Sequence, residues 1–250
     1  MNEKIVWDTV GYNYDKEIFS VLHSDKKNVV KKHIAKHIGK NKLAIDFGCG
    51  IGYALPFLAP NFKKVIGIDI SKKLLDQAAK LKLKNVALKQ GDLTKKQNVP
   101  KADFAYCCNV AICDDNKKNY AILKTVVDGL KKGGAAVIVI PSYESASLSF
   151  MQLLKLYRKD GVKVNKIPKD ELDPKHFNPD WIQNGIVAID GHPTKHYLLQ
   201  ELYTLFNTSD FSIEAIKKIE FGWDSEFTDP PKNLGKPYPW DWMIEVKRIK

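Results

Sequence analysis

The chain has 250 residues, 44% of them hydrophobic, and its 40 Lys and Arg against 29 Asp and Glu give a formal net charge of +11. That length and apolar content support a buried core in one large α/β domain or two small ones. No apolar run reaches the length of about eighteen residues that a membrane span needs, and MNEKIVWDTV lacks the apolar centre of a signal peptide, so no membrane partner is expected and the cytoplasm is the expected location. The charge raises the question of a nucleic-acid partner, but the lysines are scattered and Arg158 and Arg248 are the only arginines. Arginine's planar fork suits phosphate and base edges better than lysine does, so nucleic acid stays open without being favoured and a solvated lysine surface is expected. Cys49, Cys107, Cys108 and Cys113 show no paired spacing suited to zinc, so no metal is expected and they read as buried thiols.

Along the chain, residues 16–38 carry Ile18, Val21, Leu22, Val29, Val30, Ile34 and Ile38 at helical spacing, broken near Ser24 and Asp25, which predicts two helices. LAIDFG (43–48) is the first strand. KKVIGIDI is the second, SKKLLDQAAKLKL a helix capped by Ser71, NVALKQGD a strand, ADFAYCCNVA a strand, NYAILKTVVDGLKKGG a helix closed by Gly133 and Gly134, and AAVIVIPS a strand. Short apolar strands alternating with helices predict parallel pairing buried on both faces, hence a doubly wound α/β sheet. From Pro141 the texture changes to an amphipathic SLSFMQLLKLYRK, a stretch rich in proline and aromatics, and a short strand GIVAID. YLLQELYTLF predicts a helix, and FSIEAIKKIEF and WDWMIEVKRI predict two strands pairing antiparallel at the sheet edge. The expected organisation is an N-terminal helical segment over 1–42, a core over 43–141, an inserted cap over 142–196, and a helix and strand pair over 197–250 completing a seven-stranded, mostly parallel sheet with helices on both faces.

In an open parallel sheet ligands bind beyond the carboxyl ends of the strands where strand order reverses, and glycines there let the backbone approach the ligand. Gly48, Gly50 and Gly52 occupy that turn. A dinucleotide fingerprint G-x-G-x-x-G would put its third glycine where Tyr53 stands, which argues against a pyrophosphate site. Asp46, at the end of the same strand, repels a diphosphate and suits a cationic ligand.

With these residues in view, DFGCGIG (46–52) resembles the first motif of the class I S-adenosylmethionine-dependent methyltransferases, and the resemblance runs through residues 40–141. It implies S-adenosylmethionine as cofactor, with Cys49 and the three glycines bringing backbone to it. Asp69 in VIGIDIS, followed by Ile70, matches the motif whose carboxylate accepts the ribose hydroxyls. Asp92 and Leu93 in QGDL match the adenine contacts, and Asn109 and Val110 in CNVAI fall beside the methionine portion. Tyr14, in VWDTVGYNYDKEIF, resembles a contact from the leading segment that folds over the cofactor in many members. Each residue also has a purely local reading: a tight turn for the glycines, a pre-cap position for Asp69, a Gly-Asp turn for Asp92 and a packed aromatic for Tyr14.

The sulfonium makes the methyl electrophilic, so a general base is needed only for an acceptor still holding its proton, and none is assigned here. Candidates expected in loops facing the open end are Asp114 and Asp115, Tyr143 and Glu144 in PSYES, and His192, Lys195 and His196 in GHPTKHY, of which Tyr143, Glu144 and His196 are taken as substrate contacts. Asp114 and Asp115 are equally explained by the dipole of the helix that follows. The family's Asn-Pro-Pro-Tyr or Asp-Pro-Pro-Tyr signature for amino groups in nucleic acids is replaced by CNVAICDD. Phe150, Met151, Leu154, Tyr157, Phe177 and Trp181 supply apolar surface to roof a pocket, so the expected acceptor is a small molecule methylated at oxygen, nitrogen or sulfur. The alternatives are RNA or protein methylation, should lysines of 31–42 converge near the cleft, and a non-catalytic partner domain keeping the fold.

Overall fold

The apolar runs form β1 (Gly39–Phe47), β2 (Phe62–Asp69), β3 (Val86–Gln90), β4 (Ala102–Cys108) and β5 (Leu130–Pro141), which pair in parallel in the order β3-β2-β1-β4-β5. The structure, a computed structural model, describes residue 8 and residues 20–168, 179–189 and 192–250; Tyr14 and Phe177 lie outside them. Two short helices, α1 (Val21–Ser24) and α2 (Val29–Ala35), precede β1, and α3 (Leu55–Leu58), α4 (Lys72–Ala79) and α5 (Asn116–Asp128) connect the strands. After β5 come α6 (Tyr143–Lys159), α7 (Pro179–Asn184), β6 (Ile186–Ile189), β7 (His192–Lys195), α8 (Leu199–Phe206), β8 (Phe211–Glu220) and β9 (Trp240–Arg248). β9 lies antiparallel between β5 and β8 and completes the seven-stranded sheet, so β8 rather than β9 forms the edge.

Strand order reverses beside β1: β2 and β3 lie to one side, β4 and β5 to the other. The turns after β1 and β4 therefore flank the crevice. β9 runs the other way, so its first residues, Trp240 and Asp241, sit at that same edge, Asp241 opposite Pro141. Period-two alternation sorts the side chains between two cores. Ile45, Phe47, Ile138 and Ile140 pack with α5 and α8, whereas Ala44, Phe104, Val137, Val139 and Met243 pack with α2 and α3. Asp46 and Asp241, two residues from Ala44 and Met243, belong to this second face.

Local chemistry explains most boundaries. Ser71 Oγ accepts the Leu74 N–H at the start of α4, and Asp115 accepts the N–H groups of Lys117 and Lys118 at the start of α5. Three expectations need correction. α5 ends at Asp128 with Gly129 as its cap, and Gly133 and Gly134 lie inside β5, where Gly133 takes φ +78° and the register with β4 shifts. Tyr143 and Glu144 lie not in a loop but in the first turn of α6, because Ser142 Oγ accepts the Ser145 N–H. The polar stretch His192–Lys195 is a strand, paired antiparallel with β6 in a separate two-stranded sheet. No helix among the described residues is long and apolar enough to cross a membrane.

Candidate active site

Gly48, Gly50 and Gly52 take φ of +75°, +52° and +92°, all in the left-handed region that L side chains resist. At Gly48 space matters as well: a Cβ there would stand 2.2 Å from Val110 Cγ2. The turn is tied down by the Gly48 and Cys49 N–H groups, which donate to Ile68 O at 2.7 and 3.0 Å, and by the Gly50 N–H, which donates to Asp69 Oδ2 at 2.8 Å. Asp69 Oδ1 accepts the Ser71 N–H at 2.8 Å, and the Ser71 hydroxyl donates to Asp8 at 2.6 Å, which brings one residue of the leading segment to this edge. Burial pushes the Asp69 carboxyl up, against the pull of its backbone N–H donors, and nearby Asp8 adds to the rise.

Two cavities meet here. The smaller, about 90 Å³, is lined by Asp69, Ile70, Asp92, Leu93 and Ile122. The larger, about 1560 Å³, takes in Asp46, Cys49, Tyr143 and His196 and runs beneath α6 and the β6–β7 hairpin. Gly48, Asn109 and Val110 line both, so the glycine turn and the turn after β4 form their shared wall. The two cavities hold every predicted cofactor contact among the described residues except Gly50 and Gly52, which fix the turn's path.

Asp46 is 2% exposed, and burial, with the Asp69 charge adding to it, lifts its pKa to about 8. Near neutrality it is largely protonated until a cation arrives. Asp92 accepts from the Thr94 N–H and hydroxyl at 2.9 and 2.7 Å. Burial raises its pKa, but these bonds and Lys95 outweigh that and hold it low. Asn109 has φ +51°, donates to Asp241 at 3.3 Å and leaves its Oδ1 buried without a partner among the described residues.

The substrate candidates separate. Tyr143 lines the large cleft. Glu144 is occupied elsewhere: it accepts the Leu199 N–H at 2.8 Å, at the start of α8, along with the Ser142 hydroxyl and the Trp242 indole N–H. Sequence reasoning could not see this cap, because it comes from 55 residues away. His196 lines the cleft, but burial, reinforced by the Lys195 charge, drives its pKa down to about 4 against the pull of its bond to Thr194 O. It is a neutral imidazole and a poor proton acceptor near neutrality. Lys195 is buried and held by Glu201 and by Asn184 O, Asp115 caps α5, and Asp114 and His192 line the cleft. Asp241 and Trp240 also line the cleft and carried no motif.

The geometry fits S-adenosylmethionine. Its walls are bare backbone where a Cβ would clash, its acceptor-rich end suits ribose hydroxyls, and the buried Asp46 carboxyl can ionise when a cation arrives. Comparison with known proteins agrees. Residues 44–134 match the family described as "Methyltransferase domain". No curated protein sequence matches the chain. Among solved structures, a SAM-dependent methyltransferase from Anabaena variabilis superposes with TM-score 0.64 at 17% identity, covering 99% of this chain and 96% of its own. The N-methyltransferase NodS from Bradyrhizobium japonicum, in complex with S-adenosyl-L-homocysteine, gives 0.61 at 11%, covering 99% and 98%. Magnesium protoporphyrin IX methyltransferase from Synechocystis, with bound SAH, gives 0.61 at 15%, covering 98% of each chain. Residues 44–134 therefore match a methyltransferase domain, and the fold around them is the one shared with S-adenosylmethionine-dependent methyltransferases. The enzyme's cofactor is S-adenosylmethionine, and the matched segment spans the glycine turn, Asp69, Asp92 and Asn109.

Proposed function

We propose that this methyltransferase acts on a small organic molecule, taken into the large cleft that opens from the glycine turn. The observation that carries this reading is the continuity of that cleft, about 1560 Å³, with the cofactor turn on one side and apolar side chains of α6 and the hairpin, among them Phe150, Met151, Tyr157 and Ile186, on the other. A volume of that order exceeds an ordinary drug-sized pocket and leaves room for both cofactor tail and acceptor. The shared fold with a methyltransferase of magnesium protoporphyrin IX supports the same class of acceptor.

Bound S-adenosylmethionine supplies a methyl group already made electrophilic by its sulfonium. The chain's residues bind and align. Asp69, with two backbone N–H groups satisfied, keeps lone pairs for ribose hydroxyls. Ile70, Asp92 and Leu93 border the adenine, Asp46 faces the cationic methionine end, and Cys49, Asn109 and Val110 wall the space between. Tyr14 keeps its assignment as a contact from the leading segment. Residues 1–42 and 142–196 act as cover and cap on the 43–141 core, with 197–250 completing the sheet, in a cytoplasmic enzyme.

The test is to incubate the full chain with methyl-labelled cofactor and a cell extract divided into small molecules, protein and RNA. The label is expected among small molecules. Label in protein or RNA overturns the reading.

A further inference from the structure

On a chain with 40 basic and 29 acidic residues, the cleft has the opposite sign. Among the described residues, the acidic side chains of Asp46, Asp114, Asp160, Glu226, Asp229 and Asp241 line it, with Lys159 as the one lysine. Asp46 is assigned to the cofactor, and Asp114, Asp160, Glu226 and Asp229 are exposed at the rim. Asp241 is different, because it stands at the sheet edge, on the same face as Asp46, and receives the amide of Asn109 from the turn that also walls the cofactor cavity.

Asn109 brings a further acceptor beside it, and the cleft holds other unpartnered polar atoms. Asn109 Oδ1 is buried without a partner among the described residues. So is the hydroxyl of Ser149, a cleft-lining residue on α6 that is only 8% exposed. The Trp240 indole N–H, on a residue 7% exposed, is likewise unpartnered and offers a donor for an acceptor atom elsewhere on the same molecule. A buried hydroxyl or amide oxygen without a partner is destabilising, so a bound molecule that supplies donors offsets that cost. An anionic or phosphate-bearing acceptor would meet these carboxylates with like charge. A cationic one meets their complement.

We infer that the acceptor is a small organic amine, held in its ammonium form by the Asp241 carboxylate, which takes one of its protons before the nitrogen is methylated. The inference rests on the small-molecule reading above and narrows it to nitrogen. Proton transfer leaves a neutral amine lone pair and a neutral Asp241. That lone pair then forms the new N–C bond as the methyl–sulfur bond breaks, the bonding electrons leaving with sulfur, so the products are a methylated ammonium and S-adenosylhomocysteine. Burial lifts Asp241 to a pKa of about 7, the Asn109 bond lowering it and Glu226 raising it again, so the carboxyl exchanges a proton readily near neutrality. Lys218, whose ammonium lies 3.4 Å from the Trp240 ring centre, is absent from the cleft lining.

The test divides the small-molecule fraction of a cell extract by ion exchange into cationic, neutral and anionic pools and supplies each with labelled cofactor and the full chain. Label is expected in the cationic pool. The labelled compound's unmethylated parent is then titrated by calorimetry into the S-adenosylhomocysteine complex of the wild type and of Asp241→Asn. The variant is expected to lose about tenfold or more in affinity for it while binding S-adenosylhomocysteine as before. Label in the neutral or anionic pool overturns the amine assignment and leaves the small-molecule reading standing. Label in none of the pools, with S-adenosylhomocysteine bound, removes both. Unchanged acceptor affinity in Asp241→Asn, or an Asp241→Asn variant that loses S-adenosylhomocysteine instead, removes Asp241 from the acceptor site.

Discussion

Gly48 and Asp46 carry the cofactor site's demands most visibly. At Gly48 an alanine meets both a left-handed backbone, which costs about 1–2 kcal/mol for an L residue, and Val110 Cγ2 at 2.2 Å. Gly48→Ala is therefore expected to weaken S-adenosylhomocysteine binding about tenfold or more, read by calorimetry, and affinity equal to wild type would separate this turn from the cofactor. Asp46, lifted to about 8 by burial and the Asp69 charge, holds a proton at pH 7 in the free protein. A cation bound beside it favours the carboxylate, so binding of S-adenosylmethionine should release a proton. Calorimetry at pH 7 in buffers of different ionisation enthalpy measures this directly, and a buffer-independent heat would remove Asp46 from the cationic end. DFGCGIG made both residues legible, because the chemistry of that turn is local. Asp241 was not legible: its neighbours WDW read only as a strand, and its partner Asn109 lies 132 residues earlier.

Helix α2 is fastened to the sheet by one strand residue. Glu245 of β9, 4% exposed, accepts from His33 Nδ1, from Lys36 Nζ at 2.9 Å and from His37 Nε2 at 2.8 Å. Burial pushes its pKa up, but the bonds from Lys36, His33 and His37 more than reverse that and bring it down to about 2. A carboxyl depressed below its unfolded value of 4.5 stabilises the fold above that pH, and the contribution is lost as pH falls through about 2. Glu245→Gln is expected to destabilise the protein by about 1–3 kcal/mol at pH 7, with a smaller difference from wild type at pH 3 than at pH 7 in denaturant melts. An equal difference at both pH values would contradict the charged tether. Helical spacing gave α2 its place in the sequence reading, since Val30 and Ile34 form its apolar stripe. The tether was hidden, because His33 and His37 share the face of that stripe as polar residues and their partner Glu245 lies 212 and 208 residues later. The β6–β7 hairpin was hidden for a related reason: His192-Pro-Thr-Lys has no apolar alternation, and its pairing depends on β6.

Across the whole molecule, the alternation of strands and helices from 43 to 141 was enough to predict a parallel, doubly wound sheet, because most of its strands advertise burial on both faces in their apolar runs, but the strand order came only from the fold. The insertion of β9 between β5 and β8 left no such trace, since either strand of the pair could have taken the inner place. Charge behaved in the same way. The +11 of the chain is a property of its surface, whereas the acidic cleft assembles carboxylates from separate segments that only the fold brings together. The most direct measurement of the central claim is a crystal structure of the full chain with S-adenosylhomocysteine. The ribose hydroxyls should lie within about 3.2 Å of the Asp69 carboxylate, with the nucleoside against the backbone of 48–52 and its amino group toward Asp46. A nucleoside bound elsewhere, or a turn at 48–52 covered by the protein's own side chains in that complex, would contradict it.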